Sequence, residues 1–137
     1  MCIRYRIHRN LQVVHTVIDE KTDSRDLNAY SDQLNRDPDF DSTFDHMIEF
    51  SMGDPGSTGT VPAQALSHLV PPVARVQIVI VAPGDLEFGI ACQFRSIYDL
   101  PDEVLAVCRD QREALDWFGL ESEQPEWGAW RTVIAQN

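Results

Sequence analysis

The sequence has no CxxC pair, no apolar run of bilayer-spanning length and half as many basic as acidic residues, 11 against 22. Each shortage narrows the function. Cys2, Cys92 and Cys108 are widely separated, an odd number of thiols without metal-ligand spacing. They point to reduced thiols rather than a disulfide framework. A bilayer span needs about 18–20 consecutive apolar residues, so membrane insertion is not expected. The opening Met1-Cys2-Ile3-Arg4-Tyr5 lacks the hydrophobic region of a signal peptide, and the expected location is the cytoplasm. A net charge of −11 repels phosphate backbones and anionic lipid surfaces, which argues against nucleic-acid partners. The basic residues Arg4, Arg6 and Arg9 gather in the first hairpin, where a solvated strand face is the expected role. The P-loop, GxGxxG, GxSxG and HExxH patterns are all missing, so no catalytic signature, cofactor or bound metal is expected.

What is present is the patterning of a single α/β domain of 137 residues. Its centre is Val76–Val81, an apolar and β-branched run interrupted only by Gln77, which suits a strand covered on both faces. Ala82-Pro83-Gly84-Asp85 breaks it, with Asp85 placed to cap a helix carrying Leu86, Ile90, Ala91, Phe94 and Ile97. Gly89 is small enough for that helix to lie close to the sheet.

Upstream, Ile3, Tyr5 and Ile7 alternate with Arg4, Arg6 and His8 in a half-buried strand. Arg9-Asn10 turns the chain into a second strand, Leu11–Ile18, with Asn10 suited to positive φ. A helix through Leu27, Tyr30 and Leu34 ends at Asp37-Pro38, and His46–Phe50 is a third strand. Ser51–Val61 holds Gly53, Pro55, Gly56 and Gly59 and reads as a loop, before a helix opened by Pro62 and stopped by Pro71-Pro72. Val104–Val107 is a fifth strand, and Asp110 caps a last helix that Gly119 ends. The expected architecture is a mixed five-stranded sheet with an N-terminal β-hairpin and about four helices, over residues 1–119. Residues 120–137 are a tail with two of the three tryptophans.

Several stretches bear a family resemblance. They are Ile3-Arg4-Tyr5, Arg36-Asp37-Pro38-Asp39-Phe40-Asp41, Phe44-Asp45, Val81-Ala82-Pro83 with Phe88-Gly89, and Glu113-Ala114-Leu115-Asp116-Trp117-Phe118-Gly119. With the element order, they resemble the SpoIIAA-like fold of STAS domains, which includes anti-sigma-factor antagonists, and more closely a group of small bacterial proteins of that fold. The resemblance implies a protein-interaction or regulatory module. In the signalling members a phosphorylatable Ser or Thr follows the third strand, which would fall here on Ser57 or Thr58. Pro62 stands near where the next helix should begin, a departure from that pattern.

Candidate site residues are few. Asp45 and Glu49 are expected near the carboxyl end of the sheet, where open α/β folds place ligands. His8 and His15 are placed to face each other across the first hairpin as a surface pair, and His46 reads as a partly buried strand residue. In the tail, Trp127, Trp130 and Ile134 fall at i, i+3 and i+7, which predicts a short helix with all three on one face. Two readings stand side by side. One is a non-enzymatic module, homodimeric through that tail or engaging another protein partner. The other is a small-molecule or lipid binder, or an enzyme, with a cleft under the Ser51–Val61 loop. Folding back of the tail on its own domain is the alternative to exchange between subunits.

Overall fold

The computed structural model describes residues 3–19, 22, 24–51, 76–97, 99–101 and 103–133. The chain runs β1 (Ile3–His8), β2 (Val13–Ile18), α1 (Ser24–Arg36), β3 (Asp45–Phe50), β4 (Ile78–Val81), α2 (Asp85–Ile97), β5 (Leu105–Cys108), α3 (Gln111–Phe118) and β6 (Arg131–Val133). The strands form one mixed sheet in the order β5-β4-β3-β2-β1-β6. Strands β2 to β5 are parallel, while β1 pairs antiparallel with both β2 and β6.

Successive residues of a strand face opposite sides of the sheet, and here both sides are apolar. One takes Tyr5, Val14, Ile48 and Ile80 against Leu27, Tyr30 and Leu34 of α1 and Ala91 and Phe94 of α2. The other takes Val13, Met47, Val79 and Ala106 against Ala114 and Leu115 of α3 and, beyond it, Leu120 and Trp127. All four residues of β4 are buried, as the unbroken apolar run requires. Helix α3 has the caps its sequence predicts. The Asp110 side chain accepts the Glu113 N–H at 2.9 Å, and Gly119 closes the helix in the left-handed region at φ 69°.

The α/β class stands, with different counts. The sheet has six strands rather than five, and three helices are found among the described residues rather than about four; the helix expected after Pro62 lies outside them. The extra strand comes from the tail. Instead of a helix through Trp127, Trp130 and Ile134, the chain forms an isolated bridge between Trp127 and His8 and then β6 along β1. An edge strand offers a row of backbone partners at no cost in helix nucleation, whereas a short helix containing Gly128 is marginal alone. Ile134 lies outside the described residues.

Two local expectations also give way. The hairpin loop spans residues 9–12, and its left-handed residue is Gln12 at φ 57° rather than Asn10. That geometry lets the Gln12 N–H reach the His8 carbonyl at 2.9 Å. On α2 the sheet takes Glu87, Ala91 and Phe94, while Leu86 and Ile97 face outward. A Cβ at Gly89 would meet nothing within 4 Å, so the glycine marks no close approach to the sheet. Both stripes recur at helical spacing, and periodicity alone does not choose between them.

Candidate functional site

An assembly of polar side chains lies on the α3 side of the sheet, over the middle of β2 and toward the carboxyl end of β3. Arg6 and His15 are register partners across β1 and β2, and Glu49 stands on the next strand. The Arg6 guanidinium donates through Nε to His15 Nδ1 at 3.1 Å and through Nη1 to the Ser122 carbonyl at 2.9 Å. Because Nδ1 is an acceptor, the neutral His15 ring carries its proton on Nε2 and donates it to Glu49 Oε1 at 2.8 Å. Gln111, in the first turn of α3, donates to the same oxygen at 2.9 Å. Four elements thus meet at Glu49 and His15.

Tryptophans roof the network. Arg6 lies 4.3 Å from the Trp127 ring centre and 4.6 Å from that of Trp130, and Arg4 covers Trp130 at 4.5 Å. His15 contacts both indoles and has no exposed surface. Cation–π contacts out of water are worth about 2 kcal/mol, which helps offset the burial of Arg6. Burial lowers the pKa of His15, a trend that Glu49 opposes, and holds the Arg6 guanidinium below its ordinary value. Burial pushes the Glu49 carboxyl up, but hydrogen bonds from His15 and Gln111 outweigh it and leave the pKa below the usual range. The result is an ionised carboxylate, a neutral imidazole and a guanidinium bonded to one another. The arrangement can hold a shape and sense a proton.

A concavity of about 720 Å³ lies on the opposite face, between α1 and β6. Its α1 wall presents Arg25, Asn28, Asp32, Gln33 and Arg36, and Tyr5, Asp37 and Arg131 also line it. Asp37 accepts from the Tyr5 hydroxyl at 2.8 Å and from Arg131 at 2.5 Å, and Arg131 also reaches Asp39 at 2.6 Å. Burial, followed by the Asp37 contact, raises the Tyr5 pKa to about 12.

Of the residues singled out in the sequence, Glu49 belongs to the network. Asp45 stands at the amino end of β3, four residues away, where its carboxylate accepts the Gln77 N–H at 3.0 Å and ties β3 to the approach of β4. It is not at the carboxyl end of the sheet. Ser57 and Thr58 lie outside the described residues, as does the Ser51–Val61 loop beyond its first residue. Trp127 is buried against its own sheet, while Trp130 is 39% exposed. His8 and His15 are not a surface pair. His15 faces Arg6, both histidines are buried, and Trp127 contacts each of them. Nor is Arg6 on a solvated strand face, since it lies under the indoles at 8% exposure. His46 is buried outright, and its Nδ1 has no hydrogen-bond partner among the described residues. Arg6 and Gln111 were not candidates, and His15 entered only as half of a surface pair. The usable signal was the strand parity that puts Arg6 and His15 on one face, together with two tryptophans needing a surface to cover. No group of His, Cys, Asp or Glu among the described residues is arranged to hold a metal ion, and no helix there is long and apolar enough to cross a membrane.

In comparisons with known proteins, no protein-family model, no curated protein and no solved structure matches this chain.

Proposed function

We propose that this chain is a non-enzymatic, cytoplasmic module of STAS-like (SpoIIAA-like) fold that works through protein contacts, first of all with a second copy of itself. The observation that carries the reading is the outer face of α2. Leu86 and Ile97 are 59% and 68% exposed, three helical turns apart on one side, with Gly89 and Gln93 between them and no charge along the stripe. An uncharged helix face that carries large exposed aliphatics offers apolar surface for association. Support for the fold comes from the antiparallel hairpin that opens the sheet and from β2 to β5 lying side by side in chain order. The Glu49 network supports a non-catalytic role, because its carboxylate, imidazole and guanidinium are spent on one another.

Sedimentation velocity tests the reading. The full chain should sediment as a dimer at tens of micromolar, and the doubly substituted L86S/I97S chain as a folded monomer. A monomeric full chain removes the homodimer, and a doubly substituted chain that still dimerises removes α2 as its surface.

A specific observation favours a second reading, a binder of a polar small molecule. It is the cavity of about 720 Å³ beside α1, within the size range of ligand sites, though on α1 rather than under the Ser51–Val61 loop. Native mass spectrometry of freshly purified protein checks it. A retained small molecule displaced by Arg131→Ala supports this reading, and a bare chain mass counts against it.

A further inference from the structure

Residues 121–133 form a strap that crosses the Arg6–His15 pair and ends in β6. Few bonds hold it. Arg6 Nη1 donates to the Ser122 carbonyl, His8 Nε2 meets Gln124 Oε1 at 3.2 Å, and the Arg9 N–H donates to the Glu126 carbonyl at 3.2 Å. The Gly128 N–H reaches the Ile7 carbonyl at 2.9 Å, a close approach in which a Cβ at residue 128 would lie 3.4 Å from that oxygen. Trp127 and Trp130 then rest on Arg6 and His15. Arg6 is the hub, since it binds the strap through Nη1 and through both indoles while its Nε–H is committed to His15 Nδ1.

That last contact allows only one protonation state. Nε2 of His15 already bears a proton, donated to Glu49, so a second proton has only Nδ1 to go to. There it would face the Nε–H of a guanidinium that stays charged. Donor would oppose donor and cation would oppose cation, out of water.

We propose that the Arg6–His15 contact is a pH-sensitive latch: a proton taken up on His15 Nδ1 expels Arg6 and frees the strap from β1, baring the β1 edge and the indole faces. The other groups around the ring set the balance. Arg4 and Arg6 on β1 oppose protonation and Glu49 on β3 favours it. Glu123 of the strap acts on Arg6, His8 lies beyond Trp127, and α3 contributes the uncharged Gln111. Burial, acting against the charged ring, is the largest influence, so the closed strap disfavours the proton that the open strap accepts.

Amide hydrogen exchange on the full-length chain between pH 7.5 and 5 tests the latch. Protection of the Gly128 and Arg9 amides should fall up to tenfold per pH unit below about 6.5, the value of a free imidazole, as one-proton linkage requires. The amides of β4 should keep their protection. His15→Gln retains an acceptor for Arg6 and a donor for Glu49 without titrating, and should leave strap protection independent of pH. His8→Gln should leave the transition in place. Unchanged strap protection in the native chain, the same transition in H15Q, or loss of β4 protection in step with the strap would each overturn the latch. Should H15Q not fold, ring nitrogen shifts in the native chain decide. Uptake of a proton on Nδ1 at the midpoint of strap opening supports the latch, and a His15 ring that stays neutral throughout that opening ends it.

Discussion

Half-buried Glu49 and buried His46 show what a polar group costs in this core. Glu49→Ala would leave the His15 Nε2–H without its acceptor and free the Gln111 carboxamide from its partner. A buried donor stripped of its partner costs about 1–3 kcal/mol, and Glu49→Gln, which keeps an acceptor oxygen, should cost less. Urea unfolding at pH 7 measures both, and equal losses would mean that the bond to His15 contributes nothing. The depressed Glu49 pKa gives stability that is present above the ordinary carboxylate value and lost as pH falls through the folded one. His46 acts from the same side of the pH scale for a different reason. Burial lowers its pKa to about 4 from 6.5, so the unfolded chain takes up a proton that the folded chain refuses. Stability therefore falls as the pH drops from 6.5 to about 4, by roughly 3 kcal/mol at ~1.4 kcal/mol per pKa unit. His46→Leu should flatten that part of the stability–pH curve. At pH 7 it should be neutral or stabilising, because it removes a buried Nδ1 that has no partner among the described residues. An undiminished acid slope in the Leu variant would contradict the assignment.

Among the elements, α3 carries its structural instructions in its own sequence and the strap does not. Asp110→Ala removes the acceptor of the Glu113 N–H and should destabilise the chain by about 1 kcal/mol. Gly119→Ala forces a Cβ into the left-handed region at φ 69° and should cost about as much. Thermal or denaturant midpoints check the pair, and their effects should not sum fully, since both act on one short helix. The strap depends instead on what it lands on. Trp127→Ala removes a side chain that fills the α3-side core and covers Arg6, and should cost about 3–5 kcal/mol in chemical unfolding. A loss below about 1 kcal/mol would show that the strap is an ornament on a sheet already complete with five strands.

For the molecule as a whole, the charge of −11 sets the response to salt. Carboxylates outnumber bases two to one, so Lys and Arg can pair one to one with at most half of them. Self-repulsion between the others is screened over about 10 Å at 0.1 M salt and about 3 Å at 1 M. Raising sodium chloride from 10 mM to 0.5 M should therefore raise the melting temperature in a calorimetric scan. A fall would mean that surface ion pairs outweigh the repulsion.

Local chemistry explains how much was legible in the sequence. The β4 run, the alternation of β1, the α1 stripe of Leu27, Tyr30 and Leu34, and both caps of α3 follow from residues within a turn or a strand of one another. Such features are determined wherever the segment finds an apolar surface to cover. The candidate site was legible only at Glu49. Its partners are joined by contacts that no window of sequence contains: Arg6 and the Ser122 carbonyl are 116 residues apart, and His15 and Glu49 are 34 apart. Arginine alternating with apolar residues on a strand reads as a wet face until something covers it, and in this protein the tryptophans of the strap do so. The tail itself met a choice between a marginal helix and an open strand edge. The edge won because β1, paired with β2 on its other side, offers β6 a row of hydrogen-bond partners held in place. Tertiary structure thus decided which polar residues were buried and which apolar ones, Leu86 and Ile97, were left outside.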